Sequence, residues 1–440
     1  MQTVILPQAP KEKDAAKRVL IIDILRAIAL FGIIINHLSI NYLAGPPPAG
    51  NEQFNIFSPI DNGIFVANFI LTFGKFFTIF SFLFGLSFAL QLDSSQKKGG
   101  SFAIRFLWRL VILFAIGYLH NLFYSGDILV IYALLGVLLL PARFLGNKVL
   151  LTLALLLILN TPALIKDLWH LNDPAPTGTQ LQAQAAAGQG FAKMSQEQFR
   201  IKQSGTLKEL VSMNAFDGLM GKFAFQVMTG RLWITMGLFM LGLYAGRKKV
   251  FEPTQVNIIF FKRLLIFSGI TAIVSTIIGL LFGNMFGGAQ TALQVLGNFS
   301  ISVHQASLSS FYVAGIVLLY WKTRARTRMQ FLAPLGQMGL TTYLMQSVFG
   351  LALFYGIGLG MMDKIGVTVS MGLGVLFFFL QVLFAKWWMA RYRFGIVEWI
   401  WRSATYLKKQ PMRRNIHQKN VELVPAPTTV VTEDDIRQTF

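Results

Sequence analysis

An apolar run long enough to cross a bilayer leaves a chain few folds to choose from, and this chain carries such runs along nearly its whole length. They read as spans at 19–42, 64–91, 104–122, 127–144, 148–167, 223–245, 259–282, 297–321, 335–360 and 366–390. A helix needs about 20 residues to cross the hydrocarbon core, where every backbone N–H and C=O has to be paired within the segment. The expected fold class is therefore all-α: a polytopic membrane protein of about ten transmembrane helices, with both termini cytoplasmic. Composition agrees, since 54% of the 440 residues are hydrophobic and 13% are charged. Soluble domains carry about 25% charged residues, so a single soluble core is excluded.

Orientation follows from the basic residues of the short loops. One side holds Lys11, Lys13, Lys17 and Arg18, then Lys97 and Lys98, Arg143 with Lys148, GRKK at 246–249, RARTR at 324–328, and the tail from Lys386 onward. The opposite side holds 44–61, 120–127, 283–296 and 361–365, the last with only Lys364. The net charge of +20 arises in these clusters, as positive-inside loops predict, and no nucleic-acid partner is expected. The lipid bilayer is the expected partner, and the oligomeric state is left open.

The domain plan reads as a cytoplasmic tail at 1–18, a first five-helix half at 19–167, a periplasmic loop at 168–222 and a second five-helix half at 223–390. An interfacial helix at 391–408, rich in Trp and Tyr, and a disordered cytoplasmic tail at 409–440 follow. In the long loop, PAPTGTQLQAQAAAGQG reads as mobile chain and KELVSMNAFDGLMGKF as a short amphipathic surface helix. The absence of cysteine removes disulfides, thiolate catalysis and zinc–thiolate sites. The five histidines show no metal-ligand spacing, so no metal site is expected.

Polar side chains within the apolar runs carry the functional signal, because ionisable groups there are costly and face the protein interior. The first run holds Asp23, Arg26, Asn36 and His37. Asp23 and Arg26 are three apart and can pair; a helix-end salt bridge with a snorkelling arginine explains them equally well. His37 points within about 20° of Arg26, and about 16 Å further along the axis. It reads either as a catalytic group or as a satisfied interhelical hydrogen bond. Arg105 and Arg109, four apart, match phosphate oxygens of a cytosolic ligand or serve as positive-inside anchors. Tyr118, His120, Asn121 and Asp127 gather around a Ser125–Gly126 turn. Asp127 reads as a helix N-cap or, with His120, as an acid–base pair. Arg231, His304, Gln305, Tyr343 and Gln346 are weaker sites, each more often packing than chemistry.

The pieces DILRAIALFGI at 23–33, FFTIFSFLFGLSFAL at 76–90, LHNLFYSGDILVIYALLGVLLLP at 119–141 and GRLWITMGLFMLGLYAG at 230–246 resemble the YeiB-like family of bacterial inner-membrane proteins, a domain of unknown function. GQMGLTTYLMQSVFGLALFYGIGLG at 336–360 and RYRFGIVEWIWRSATY at 391–406 extend the resemblance. It implies a multi-pass protein of the bacterial cytoplasmic (inner) membrane. The chain departs from that family's pattern at His37, Gln337 and Thr342. The pattern D-x-L-R-x-x-A, with His37 fourteen residues after Asp23, is also distantly similar to the first helix of the acyltransferase-3 and heparan-α-glucosaminide acetyltransferase proteins. That likeness implies an acyltransferase taking acyl-CoA as co-substrate, with no tightly bound cofactor and a glycan or lipid-linked acceptor. His37 would be its catalytic histidine, with His120 or Asp127 orienting it. Asn36 or Asn121 would stabilise an oxyanion, and Arg105 and Arg109 would hold the donor phosphates. The alternatives are a transporter or flippase of a small anionic or lipid-linked solute, and a non-catalytic structural membrane protein.

Overall fold

The computed structural model describes residues 20–45, 47, 54–96, 102–171, 177–283, 291–322 and 325–414. The tail expected at 1–18, Lys97, Lys98 and Arg324, and the tail from 415 onward lie outside the described residues. Among those described there is no β-strand, only an isolated bridge between Tyr392 and Arg413. The first half holds α1 (Leu20–Ser39), α2 (Pro59–Leu71), α3 (Lys75–Gln96), α4 (Phe102–Phe123), α5 (Leu129–Ala142), α6 (Asn147–Ile158) and α7 (Thr161–His170). The segment between the halves holds α8 (Gly178–Ser204) and α9 (Leu207–Ala215). Then come α10 (Asp217–Met228), α11 (Arg231–Arg247), α12 (Gln255–Phe282), α13 (Ala292–Lys322), α14 (Ala325–Met329), α15 (Ala333–Gln337), α16 (Gly339–Phe354), α17 (Val367–Arg391) and α18 (Ile396–Tyr406).

Each of the ten predicted runs is helical, but not all are long enough to cross a membrane. Six segments are long and apolar enough, namely α1, α2 with α3, α4, α12, α13 and α17. Two more qualify only as bent pairs, α6 with α7 at 53° and α10 with α11 at 74°. The remaining runs, 127–144 and 335–360, shorten to α5 with 14 residues and α16 with 16. Among the described residues the count by length and apolarity is thus six to eight spans. Apolarity marks where a chain can be buried, and a core helix packed inside a bundle meets that condition as well as a spanning one.

The apolar surface fits a lipid solvent. On α12, Ile266, Phe267, Ile270, Ile273, Ile277 and Leu280 are all more than half exposed. A stripe of that kind is stable against hydrocarbon and unfavourable against water. By contrast α1 is enclosed: Ile24, Ala27, Ala29, Leu30, Ile34 and Leu38 are fully buried. It packs against α3, α15, α16 and α17, and is therefore the central post of the bundle.

Without a hydrophobic drive between helices in lipid, close backbone approach has to come from small residues. α11 carries Gly242 and Gly246 four apart, and α3 answers with Gly85 and Ala89. A Cβ added at Gly85 would lie 2.0 Å from the Phe239 carbonyl oxygen, and one at Gly242 would lie 2.2 Å from that of Phe82.

Where composition reads as mobile chain, the structure has α8. Its first turn is closed by a capping box, in which Thr177 Oγ1 accepts from the Gln180 amide at 3.4 Å and Gln180 Oε1 accepts from the Thr177 amide at 2.8 Å. Ala and Gln are good helix formers, so a strong cap decides the outcome over the interspersed glycines. α8 and α9 fold back over the end of α1 that carries His37. Lys202 Nζ donates to the Leu43 carbonyl at 2.5 Å, and the Gly356 amide donates to the Lys202 carbonyl at 2.9 Å.

The glycine crossing predicts that Gly242→Ala lowers stability by about 1–3 kcal/mol, the range of overpacking. Gly372→Ala, where an added Cβ meets nothing within 4 Å, is expected to be neutral or slightly stabilising. Thermal unfolding of both variants in detergent measures the contrast.

Candidate functional site

At the His37 end of the bundle, three helices and a turn bring a set of polar side chains into contact. α1 supplies His37, α4 supplies His120, the α4–α5 turn supplies Tyr124 and Asp127, and α10 supplies Lys222. His37 Nδ1 and the Tyr124 hydroxyl are hydrogen-bonded at 2.8 Å. His120 Nδ1 lies 2.8 Å from Asp127 Oδ1, with the carboxylate completely buried. Asp127 Oδ2 accepts from the Val130 amide at 3.1 Å and faces Lys222 Nζ at 3.6 Å. Asp127 stands one residue before Ile128, the N-cap of α5. One oxygen caps the first turn of α5, and the other binds an imidazole.

The chemistry of the partners fixes the imidazole's roles. A carboxylate only accepts, so His120 Nδ1 donates, and in the neutral ring Nε2 keeps its lone pair. His120 Nε2 is buried and has no hydrogen-bond partner among the described residues. The arrangement is an imidazole oriented by a carboxylate through one nitrogen, with the other unengaged. Aromatic rings wall it in: Tyr124 at 5.9 Å and Tyr343 at 5.4 Å between ring centroids. Tyr42, whose buried hydroxyl is also without a partner, lies 5.2 Å from the His37 ring.

The other residues predicted from sequence divide between this cluster and more distant positions. Asn121 donates to the Asn214 carbonyl at 2.8 Å and so ties α4 to the covering helix α9. Asn36 uses its carbonyl to accept from Ser39 at 2.8 Å, and its side chain makes no hydrogen bond to the cluster. Gln346 is a link between helices, donating to the Leu30 carbonyl at 3.3 Å and to Gln381 Oε1 at 3.1 Å. Both His304 nitrogens are engaged, by Thr276 at 2.9 Å and by the Ile70 carbonyl at 3.0 Å. Arg231 lies at the His37 end, over the rings of Phe73, Phe77 and Phe225.

Asp23 and Arg26 form the expected pair at 2.8 Å, and Arg26 also donates to Ser87 at 2.5 Å. They stand at the opposite end of α1 from His37. Arg105 and Arg109 belong to that same end, about 16–22 Å along α4 from His120. Their guanidinium groups stack on the C-terminal helix, Arg109 on Trp401 at 4.5 Å and Arg105 on Tyr406 at 5.7 Å. Trp401 in turn donates to the Arg109 carbonyl at 3.0 Å. The α18 helix is held down at its start by Glu398, which accepts from the Leu340 and Thr341 amides at 2.6 and 3.0 Å. Burial pushes the Glu398 carboxyl above the usual range in spite of those bonds.

Sequence reasoning missed Tyr42, Tyr124 and Lys222 as parts of the cluster. A lysine in the otherwise apolar GLMGKFAFQVM stretch was the available signal for Lys222. The tyrosines gave none, because tyrosine is ordinary at membrane interfaces.

Residues 245–408 match a family model described as a protein of unknown function (DUF418). Over 416 residues the chain is 29% identical to the uncharacterized protein YxaH of Bacillus subtilis (strain 168), covering 90% of this chain and 96% of that one. It is 25% identical over 407 residues to an uncharacterized 39.9 kDa protein in the amylase 3' region of Bacillus acidopullulyticus, covering 90% of this chain and 96% of that one. To the uncharacterized protein YeiB of Escherichia coli (strain K12) it is 23% identical over 406 residues, covering 87% and 95%. No solved structure matches it. The YeiB-like resemblance therefore holds along most of the chain, and the protein is a multi-pass membrane protein homologous to these relatives. None of their descriptions names an acyltransferase.

Two predictions follow from this geometry. Asp127→Asn leaves Lys222 buried beside a neutral amide, a loss of about 3–5 kcal/mol by analogy with broken buried pairs. Adding Lys222→Met should recover part of it, and a double-mutant cycle by thermal unfolding reads the coupling. Separately, burial pushes the Lys202 ammonium down to about 8, while an unfolded lysine titrates near 10.4. Between about pH 8 and about pH 10.4 the unfolded chain binds more protons, so stability rises with pH. The hydrogen-exchange protection of α8, corrected for the intrinsic rate at each pH, should rise across that interval in the wild type and stay level in Lys202→Met.

Proposed function

We propose that the protein is a transmembrane acyltransferase, moving an acyl group from acyl-CoA to a hydroxyl or amine of a glycan or lipid-linked acceptor at the His37 end. The observation that carries this reading is the buried, unengaged Nε2 of a histidine whose other nitrogen is held by a carboxylate. In this reading His120 is the base and Asp127 its positioning partner, so the role expected of His37 shifts to its neighbour. His37 is hydrogen-bonded to Tyr124, whose ring lies beside that of His120.

The acceptor O–H or N–H gives its proton to His120 Nε2 as its oxygen or nitrogen attacks the thioester carbonyl. The carbonyl oxygen takes the negative charge, and the Tyr42 hydroxyl, which has no partner among the described residues, is the donor that would meet it. When the C–S bond breaks, the thiolate leaves and receives the proton from His120, giving free CoA and an acylated acceptor. Arg105 and Arg109 would hold the CoA phosphates by their N–H edges, their faces being covered by Tyr406 and Trp401. The extended pantetheine arm is of the order of the 16–22 Å from there to His120 along α4. A cytosolic donor and bacterial relatives fit residence in the bacterial cytoplasmic membrane, with the basic loops inside.

A second reading, transport of an anionic or lipid-linked solute, is favoured by the two bent pairs. Their breaks meet: a Cβ on Gly230, at φ +69°, would lie 2.1 Å from Asn160 Oδ1, itself at φ +54°. Broken helices that meet at depth are a transporter feature.

Purified protein incubated with radiolabelled acetyl-CoA and membrane-glycan acceptors should yield labelled acceptor. His120→Gln, whose amide N–H can still donate to Asp127, should slow transfer by about 10²–10⁴-fold. Undiminished transfer by that variant removes His120 as base. Solute flux in proteoliposomes with no labelled product replaces the enzyme by the transporter.

A further inference from the structure

The break between α10 and α11 holds an arginine that the chain itself does not satisfy. Arg231 is the first residue of α11, directly after Gly230, whose φ of +69° lets the chain turn by 74°. Its guanidinium is surrounded by the rings of Phe73, Phe77 and Phe225, at 5.0, 4.9 and 5.2 Å. Rings cover the faces of a guanidinium and offer no acceptor to its five in-plane N–H groups. Among the described residues Arg231 has no carboxylate partner, and no hydrogen bond to its guanidinium is found.

A second cation stands beside it. Lys75 lies between Phe73 and Phe77 in sequence and is 2% exposed. Its ammonium donates once, to the Phe69 carbonyl at 3.3 Å, and no carboxylate pairs with it among the described residues. The α11 N-terminus adds a third contribution. It has no side-chain cap, so its first amides are unmatched and its dipole presents positive charge at the break. A buried and a half-buried cation with no counter-ion among the described residues are expensive in an apolar surround. Their common complement is an oxyanion with several oxygens.

We infer that Arg231, Lys75 and the α11 N-terminus form a binding site for a phosphate group. The planar N–H edge of Arg231 would take two phosphate oxygens, Lys75 a third by charge, and the free amides of α11 the remainder. The site neighbours the His120 cluster. Phe225, under Arg231, is three residues from Lys222, which faces Asp127, so the two lie about one helical turn apart on α10. A phosphate-bearing ligand held at Arg231 would therefore extend its remaining part toward His120. The inference does not rest on acyl transfer, since a transported phosphate ester would use the same cradle.

The test compares two sources of phosphate with the full-length protein. Isothermal titration with inorganic phosphate is run in detergent, and binding of a fluorescent phosphatidic acid is run in nanodiscs otherwise made of phosphatidylcholine. Saturable binding is expected in at least one arm. Binding confined to the nanodisc arm assigns a lipid-borne phosphate, and binding in both assigns the group itself. Arg231→Gln should weaken it at least tenfold, and Arg231→Lys should keep part of it, since charge survives but the fork does not. Arg402→Gln, which removes a ring-stacked arginine on α18, should leave it unchanged. No saturable binding by the wild type in either arm overturns the inference, a result that needs no variant to fold. So does equal affinity in wild type and Arg231→Gln.

Discussion

A carboxylate in an apolar bundle has to have its charge and both its oxygens matched, and Asp127 is the place where this chain meets that requirement. Its oxygens engage an imidazole from α4, a backbone amide at the start of α5 and an ammonium from α10. Removing any one would strand charge in a medium that does not solvate it. That need brings helices of the first half and the middle segment together at one end of α1. It also sets the tautomer of His120, because the nitrogen facing the carboxylate has to carry the proton. Structure and chemistry at this end are thus consequences of the same electrostatic condition.

The opposite end of α1 is organised differently. Asp23 and Arg26 neutralise each other, Ser87 takes a further guanidinium N–H, and the Arg105 and Arg109 pair lies under the aromatic face of α18. Between the two ends the bundle is held by packing. Gly85 and Ala89 on α3 meet Gly242 and Gly246 on α11 at backbone distance, so dispersion contacts dominate there, joined by a few hydrogen bonds between helices such as that of Gln346 with Gln381.

The first half of the candidate site was legible as residue types. His37, His120 and Asp127 stood out because titratable groups are rare in apolar runs, and the structure brings all three to one end with Tyr124 between them. Their relative roles were not legible. Which histidine is oriented by a carboxylate and which by a phenol depends on neighbours that come from the turn at 124–127. Lys222 was hidden because it belongs to a segment separated from Asp127 by nearly a hundred residues, with no local pattern linking them. The helix α8 escaped composition-based reading because a single capping box outweighs scattered glycines.

The sequence by itself determined that the chain is helical and membrane-embedded, since runs of apolar residues can bury their backbone polar groups in lipid only by pairing them internally. It also determined which few residues are too polar for that setting to be incidental. Only the tertiary structure decided how many helices are long enough to cross and which are broken, because a bend is set by single positions such as Asn160 and Gly230 whose left-handed backbone is fixed by contact with each other. It also decided which charges are paired and which, like those of Arg231 and Lys75, are left without a counter-ion. Pairing depends on distances across the bundle, and these are a property of packing and not of spacing along the chain.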